Sequence, residues 1–263
     1  MLMLLGLVIL GSRGGAAAKE TITMAHFFDK GYDAVYPAIA SGKVKSDLVD
    51  LKLTGLDISA LIQATGSRQF DIAETSILGA VRARQRGLDV KIIMGGLTAT
   101  GGQILFTKKG SPITKPEQLK GKTVAVFSLG STSVAQMQLL LWKKNGLNIS
   151  KGGDIRCQEI PITTIGTTLL KDRVDAGFTL QSFARKVLDS GEYQVLQDTV
   201  PEFRDFFQVK FMPSVYITYD SVLAKKAKLI EVEQRLSYES SKYSREHAQE
   251  VAQELAKLND RPA

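Results

Sequence analysis

Thr123–Gly146, TVAVFSLGSTSVAQMQLLLWKKNG, reads as a strand, a hydroxyl-rich glycine loop and a helix. Thr123 to Phe127 is a short apolar, β-rich run suited to a buried strand, and Val134, Met137, Leu140 and Leu141 recur at helical spacing. The pattern predicts a helix starting near Ser131. Its first turn leaves backbone N–H groups without intrahelical partners, and the peptide dipoles add partial positive charge there, so a negative group can be held without a lysine. Ser128, Gly130, Ser131, Thr132 and Ser133 put further donors, and close backbone approach, at the same spot.

No acidic residue occurs between Glu117 and Asp154, although Lys120, Lys122, Lys143, Lys144 and Lys151 lie within that span. Ordinary helices favour Asp or Glu in the first turn, so the positive end here reads as uncompensated. Two readings stay open: an anion site, or a capping box of Ser133 and Gln136 that needs no ligand. Neither a Walker lysine pattern nor G-x-G-x-x-G occurs, which makes nucleotide binding a weak reading.

Met1 to Gly11, MLMLLGLVILG, is apolar but short for a bilayer span, and small residues follow it up to Ala16-Ala17-Ala18. This is the hydrophobic and cleavage-site pattern of a secretory signal, predicting a mature start at Lys19 and a periplasmic product. The usual basic residues before the apolar run are missing, and a buried first strand or a membrane anchor is the other reading. The 263 residues carry a formal net charge of +7, with 44% hydrophobic and 23% charged residues, an ordinary globular composition. Cys157 is the single cysteine, which excludes an internal disulfide and a cysteine zinc site. No Lys/Arg block or aromatic stacking motif supports nucleic acid, so the basic balance reads as a modest field that attracts a small anion.

Strand-like runs alternate with helical patterns, as in parallel α/β folds. Strands are expected at Thr21–Ala25, Val49–Leu53, Phe70–Ala73, Val90–Met94, Gln103–Thr107, Arg156–Ile160 and Val174–Thr179, with a strand pair over Val209–Tyr219. Helices are expected at Tyr32–Gly42, Ile58–Thr65, Ser76–Arg86, Pro116–Leu119, Thr164–Lys171 and Phe183–Ser190, with one or two more over Ser221–Leu258. Gly95 to Gly102, GGLTATGG, breaks the pattern and reads as a crossing segment or hinge.

Three stretches, in this order, resemble the periplasmic substrate-binding proteins of ABC importers, in the branch of nitrate, sulfonate, taurine and thiamine-precursor binders. They are QFDIAETSILGAVRARQRGLDVKIIMGG (69–96), SPITKPEQLKGKTVAVFSLGSTSVAQMQLLLWKKNGL (111–147) and LKDRVDAGFTLQSFARK (170–186). The first is similar to the family's strand, polar elbow and alanine-rich helix, the second to its "DLKGK-V-AV-x-GS" segment, the third to "G-x-VDA-x-F-x-x-x-PF-A". Leu180, Gln181 and Ser182 depart from the family pattern, which often has aromatic, acidic and proline residues there.

The resemblance implies an α/β, two-lobed fold of the type II periplasmic binding protein kind, with ligand in the cleft between the lobes. Residues 19–98 and 210–263 would form the first lobe and 99–209 the second, with hinge segments at its ends. The cleft-facing residues would follow the strand ends: His26, Phe27 and Phe28, then Glu74, Thr75 and Ser76, then the Ser128–Ser133 loop, then Leu180 and Gln181. Phe27 and Phe28 read equally as core, His26 as a structural histidine, and Thr75 or Ser76 as a helix cap. Glu74 would repel an anion unless it pairs with a cation or receives a donor group of the ligand, which points to a zwitterion or a ring bearing a donor.

The resulting expectation is a monomeric, non-enzymatic solute-binding protein without metal or cofactor. It would capture a small organic anion or zwitterion and deliver it to an ABC permease with its ATPase. The alternative is an enzyme like the thiamine-pyrimidine synthase branch of the same fold; that branch uses a cysteine-rich motif, which Cys157 alone does not supply.

Overall fold

A computed structural model describes residues 19–27, 36–96, 102–149, 152–210 and 212–258, apart from the side chains of 181, 182 and 256–258. The expected leader, Phe28, the first four residues of the Tyr32–Gly42 helix and the middle of the glycine-rich crossing lie outside the described residues; of that helix the described part is helical only over Pro37–Ala40.

Two five-stranded mixed sheets carry the chain. In the first, the order is β2 (Val49–Leu56), β1 (Glu20–Phe27), β3 (Ile72–Ser76), β10 (Ser214–Tyr219), β4 (Val90–Gly95). β1 is parallel to both neighbours, and β10 is antiparallel to β3 and β4. In the second, the order is β7 (Arg156–Glu159), β6 (Thr123–Val126), β8 (Ala176–Leu180), β5 (Gln103–Lys108), β9 (Tyr193–Asp198). Here β5 is the antiparallel strand. Each sheet therefore has the same plan: a parallel set plus one antiparallel strand at the point where the chain enters the second sheet (β5) or returns to the first (β10).

The parallel strands need crossovers, and α-helices supply them. α2 (Ile58–Ser67) joins β2 to β3, α3 (Ile77–Gln85) follows β3, and α4 (Thr132–Lys143) joins β6 to β7. α5 (Ile165–Leu170) precedes β8, α6 (Gln181–Ser190) follows it, and α7 (Thr199–Phe207) leads back out of β9. The interior strands β1, β3, β6 and β8 are buried on both faces, as their apolar runs require. On β1, Ile22 and Met24 pack in one cluster with Tyr36, Leu229 and Ile230, while Ala25 and Phe27 belong to the other.

The remaining helices are the four-residue α1 (Pro37–Ala40), the long α8 (Asp220–Glu246) and the C-terminal α9 (Ala248–Leu258). α8 buries Leu229, Ile230, Glu233, Leu236, Ser237 and Ser240 along one stripe. It bends at Lys226, whose backbone leaves the helical region (φ −128, ψ 20). The bend brings the Lys226 ammonium to the Asp71 carboxylate at 3.0 Å and the Thr21 carbonyl at 3.0 Å, fastening α8 to the first sheet.

Three expectations need correction. Val209–Tyr219 is one strand, β10, because only Ser214 onward finds partners, in β3 and β4. Tyr193–Asp198 and Thr199–Phe207 form a strand and a helix that the periodicity did not announce. β9 is an edge strand with a mixed face pattern, and α7 begins with Thr199-Val200-Pro201, weak helix formers held by the Asp198 cap. His26 and Phe27 belong to β1 rather than to a loop, because they extend its ladder opposite Gly55 and Leu56.

Candidate functional site

Parallel α/β units put the carboxyl ends of strands and the amino ends of helices on one side, where ligands bind. The two sheets of this chain turn those sides toward each other. A partly open cavity of about 50 Å³ lies between them, lined from the first sheet by Phe27, Ile58, Leu61, Glu74, Thr75, Ser76, Pro213 and Ser214 and from the second by Ser131, Ser133 and Leu180. A second opening, of about 410 Å³, shares Phe27 and Ile58 and runs on past Asp57, Phe127, Glu159, Pro161 and Phe183.

The end of β3 supplies three polar residues in a row, all buried. Glu74 accepts the Phe27 backbone N–H at 2.8 Å on one oxygen and the Ser214 hydroxyl at 2.6 Å on the other, so it ties together the ends of β1, β3 and β10. Ser76 caps α3, accepting the Gly79 N–H at 2.9 Å, and donates to the Gly130 carbonyl at 3.1 Å across the cleft. Thr75, between them, is 1% exposed, and its hydroxyl has no partner although it stands in the cavity wall.

Facing them is the loop before α4. Ser131 is the N-cap, with its oxygen accepting the Ser133 N–H at 3.2 Å, so the Ser133–Gln136 capping box does not form. Gln136 instead donates to the Thr199 carbonyl. The Ser128 hydroxyl accepts the Gly130 N–H at 3.3 Å, and Thr132 Oγ1 accepts the Leu78 N–H at 3.2 Å. Neither α3 nor α4 carries an acidic residue in its first turn. The loop's positive end is nevertheless not bare of carboxylate: Glu159, at the end of β7, accepts the Leu129 N–H at 2.7 Å, a contact that crosses 30 residues and that local spacing does not reveal.

Of the residues expected at the site, Phe27, Glu74, Thr75, Ser76, Ser131, Ser133 and Leu180 come together in the cavity wall. Ser128, Gly130 and Thr132 brace the loop or clasp it to α3 instead of lining the cavity. His26 is buried against the Tyr36 ring, 5.2 Å between centroids, with Nδ1 3.2 Å from the Phe27 carbonyl oxygen, and lines neither opening. Gln181 opens α6, its side chain outside the described residues, as is Phe28. Ile58, Leu61, Pro213 and Ser214 were not expected. Ile58 and Leu61 read as the apolar stripe of an ordinary helix, and Pro213 and Ser214 lie in the stretch expected as the returning crossing and strand, with no ligand contact assigned to it.

Among the described residues, no Lys or Arg lines either opening. Arg82 on α3 stands close by, 3.6 Å from where a Cβ on Gly130 would sit. An acceptor-rich group in the cavity would therefore rely on hydroxyls and helix amino ends, while Glu74 and the apolar walls favour a donor group on a small hydrocarbon frame.

The family model described as NMT1/THI5 like matches residues 47–251. No curated protein matches the chain in sequence. Among solved structures, the chain is similar to the periplasmic aliphatic sulphonate binding protein SsuA from Escherichia coli, at 17% identity and TM-score 0.72, covering 92% of this chain and 75% of that one. It is similar to the alkanesulfonate-binding protein SsuA from Xanthomonas axonopodis pv. citri bound to MOPS, at 13% identity and TM-score 0.77, covering 94% and 82%. A Candida albicans protein described as exhibiting the generic periplasmic binding protein structural fold aligns at 18% identity and TM-score 0.70, covering 90% and 76%. These likenesses show the fold: two α/β sheets of the periplasmic binding protein kind.

Proposed function

The chain belongs to the NMT1/THI5-like family, and from that premise we propose that it is an extracytoplasmic solute-binding protein that captures a small organic anion or zwitterion and hands it to an ABC permease. In this reading residues 19–98 and 210–263 form one lobe and 99–209 the other, and the cavity between them closes on the solute by hinge motion. The observation that carries it is Thr75: a residue 1% exposed, in the wall of a cavity built from both sheets, with its buried hydroxyl unpaired. Burying an unpaired hydroxyl is costly in a structure that gains nothing from it, and a ligand oxygen removes that cost.

The division of labour follows from the wall. Ser131, Ser133 and the amino end of α4 face the negative group, Glu74 faces a donor, and Phe27, Ile58, Leu61 and Leu180 enclose the carbon frame. Two of the similar structures are sulfonate-binding proteins, which makes sulfonates and taurine the first solutes to try. Chemistry at Cys157 finds no support, because burial pushes its thiol up to about 11 and away from the reactive thiolate.

A thermal-shift screen of sulfonates, taurine, carboxylates, nitrate and pyrimidines tests the reading. A true ligand at about a hundredfold its Kd adds roughly 2.7 kcal/mol to stability. Thr75→Val then lowers affinity for that ligand about tenfold or more while leaving the unliganded protein as stable as before. Turnover of a bound solute by the purified protein, or unchanged affinity in Thr75→Val, defeats the reading.

A further inference from the structure

A further opening, of about 210 Å³, lies between α5 and α6 on the second sheet and shares no lining residue with the cavity that holds Thr75. Strand alternation separates the two. On β8, Leu180 lines the cavity between the sheets and Phe178 stacks on Phe127, so Thr179 between them points to the opposite face, where it lines this opening. Thr179 is 2% exposed and its hydroxyl is unpaired. From α6 comes one stripe at helical spacing, Phe183, Lys186, Val187 and Ser190. Tyr193 crosses to α5, where only a glycine leaves it room: a Cβ on Gly166 would lie 2.7 Å from the Tyr193 hydroxyl oxygen.

The floor of this opening is apolar and its rim is charged. Phe106, Ile165 and Val187 are buried, whereas Lys186 and Glu192 are exposed. Among the described residues neither rim charge enters an ion pair, and the Tyr193 hydroxyl has no hydrogen-bond partner. The Lys186 ammonium stands 5.7 Å from the centroid of the Phe183 ring. One cation and one anion at the mouth of an apolar space complement a zwitterionic head on an apolar body, with the carboxylate toward Lys186 and the ammonium toward Glu192. The space suits a ring, because a cavity of about 150 Å³ already holds benzene in a protein core. A plain sulfonate would meet Glu192 as well as Lys186 and leave the floor unfilled.

We propose that the opening between α5 and α6 is a second binding site, separate from the cavity between the sheets, for an α-amino acid with a ring-sized apolar side chain. Lys186 and Glu192 hold its head group, and the side chain lies on Phe106, Ile165 and Val187. Ile162, Thr163 and Phe183 line both this opening and the larger one past Phe127, so the site adjoins the cleft wall without entering the Thr75 cavity. It does not depend on which solute that cavity takes.

L-Phenylalanine is the probe, compared with hydrocinnamate, which lacks the ammonium, phenethylamine, which lacks the carboxylate, and L-alanine, which lacks the ring. Titrated into the isotope-labelled full chain, phenylalanine is expected to shift the backbone amide resonances of α5, α6 and Tyr193 and to leave those of Thr75 and Ser131 in place. It binds about threefold to fivefold tighter than either analogue with a single charge, as exposed charge pairs allow, and at least about tenfold tighter than alanine. Lys186→Met removes the advantage over phenethylamine, and Glu192→Gln removes the advantage over hydrocinnamate. Both side chains are exposed, so these variants keep the wild-type melting temperature. Thr167→Trp, at the exposed α5 rim, closes the opening and abolishes binding. Shifts centred on Thr75 and Ser131, a ranking unchanged in Lys186→Met and Glu192→Gln, or no binding of phenylalanine each overturns the site. The cavity between the sheets is judged separately, by the solute screen and Thr75→Val.

Discussion

Thr132 Oγ1 accepts the backbone N–H of Leu78 at 3.2 Å, so the first turn of α4 is bonded to the first turn of α3 across the cleft. With the Ser76 hydroxyl donating to the Gly130 carbonyl at 3.1 Å, it forms a clasp along one side of the cavity. A neutral hydrogen bond contributes about 0.5–1.5 kcal/mol net. Thr132→Val keeps the shape and removes the acceptor, so the closed arrangement loses about 1 kcal/mol and ligand affinity falls about fivefold. Calorimetry reads the affinity, and X-ray scattering of the same samples reads a larger radius of gyration. Identical curves for variant and wild type would show that the clasp does not govern closure.

Thr132→Glu separates the helix end as a binding element from the helix end as a cap. An acidic residue in the first turn interacts favourably with the helix dipole by about 0.3–1 kcal/mol. It also sets like charge beside an anionic ligand. The variant also loses the Leu78 contact, so the melting temperature is expected to stay close to that of Thr132→Val or above it, while affinity for the best anionic ligand drops by more than tenfold, beyond the loss in Thr132→Val. Affinity that falls no further than in Thr132→Val counts against an anion at the amino end of α4.

Gly96 stands where the chain leaves β4, and no side chain fits there. Its N–H donates to the Ser214 carbonyl at 2.9 Å, and a Cβ would lie 2.6 Å from that same oxygen and 2.1 Å from the Ser214 hydroxyl oxygen. Gly96→Ala must push the backbone of β10 away, and overpacking of this kind costs about 1–3 kcal/mol. Because Ser214 donates to Glu74, the damage reaches the cavity. Denaturant titration should show the stability loss, with weakened ligand binding alongside. Wild-type stability in this variant would mean that the crossing is looser than its contacts.

Glu233 gives a pH signature. It lies on the inner stripe of α8, 0% exposed, with one oxygen accepting the Ser237 hydroxyl at 2.6 Å and the other unpartnered. Burial pushes its carboxyl up to about 7, while the Ser237 hydrogen bond pulls it down. A raised pKa means that the folded protein binds the proton more tightly than the unfolded chain. Its favourable contribution is whole below the unfolded value near 4.5 and is lost as pH rises through about 7. Glu233→Gln removes that decline and is more stable than wild type above pH 7 by about 2–3 kcal/mol. Parallel stability curves for the two proteins from pH 5 to 8 would refute this.

The sequence was most legible where physical signals are local. Apolar runs announced β1, β3, β5, β6 and β8, and the hydroxyl cap before an apolar stripe announced α3 and α4. The wall formed by Glu74, Thr75, Ser76, Ser131, Ser133 and Leu180 followed from one rule, that strand ends and helix starts face the ligand. What escaped depends on contacts between distant residues. Glu159 reaching Leu129, Ser214 reaching Glu74 across 140 positions, and Thr132 reaching Leu78 are fixed by sheet order and by the apposition of the two sheets. β9 and α7 were missed because their stability comes from docking on β5 and α4, not from their own periodicity.

Glu74, pinned by Phe27 on one side and Ser214 on the other, bears on how such a protein changes its diet over evolutionary time. A substitution there leaves a backbone N–H and a hydroxyl unpaired at the ends of two other strands, so it lowers stability before any new solute can be tried. Thr75 carries no such debt, because its unpaired hydroxyl holds nothing else in place. New preferences are therefore expected to arise by substitution at this position, with the glutamate retained as the fixed point around which the recognised solutes diversify.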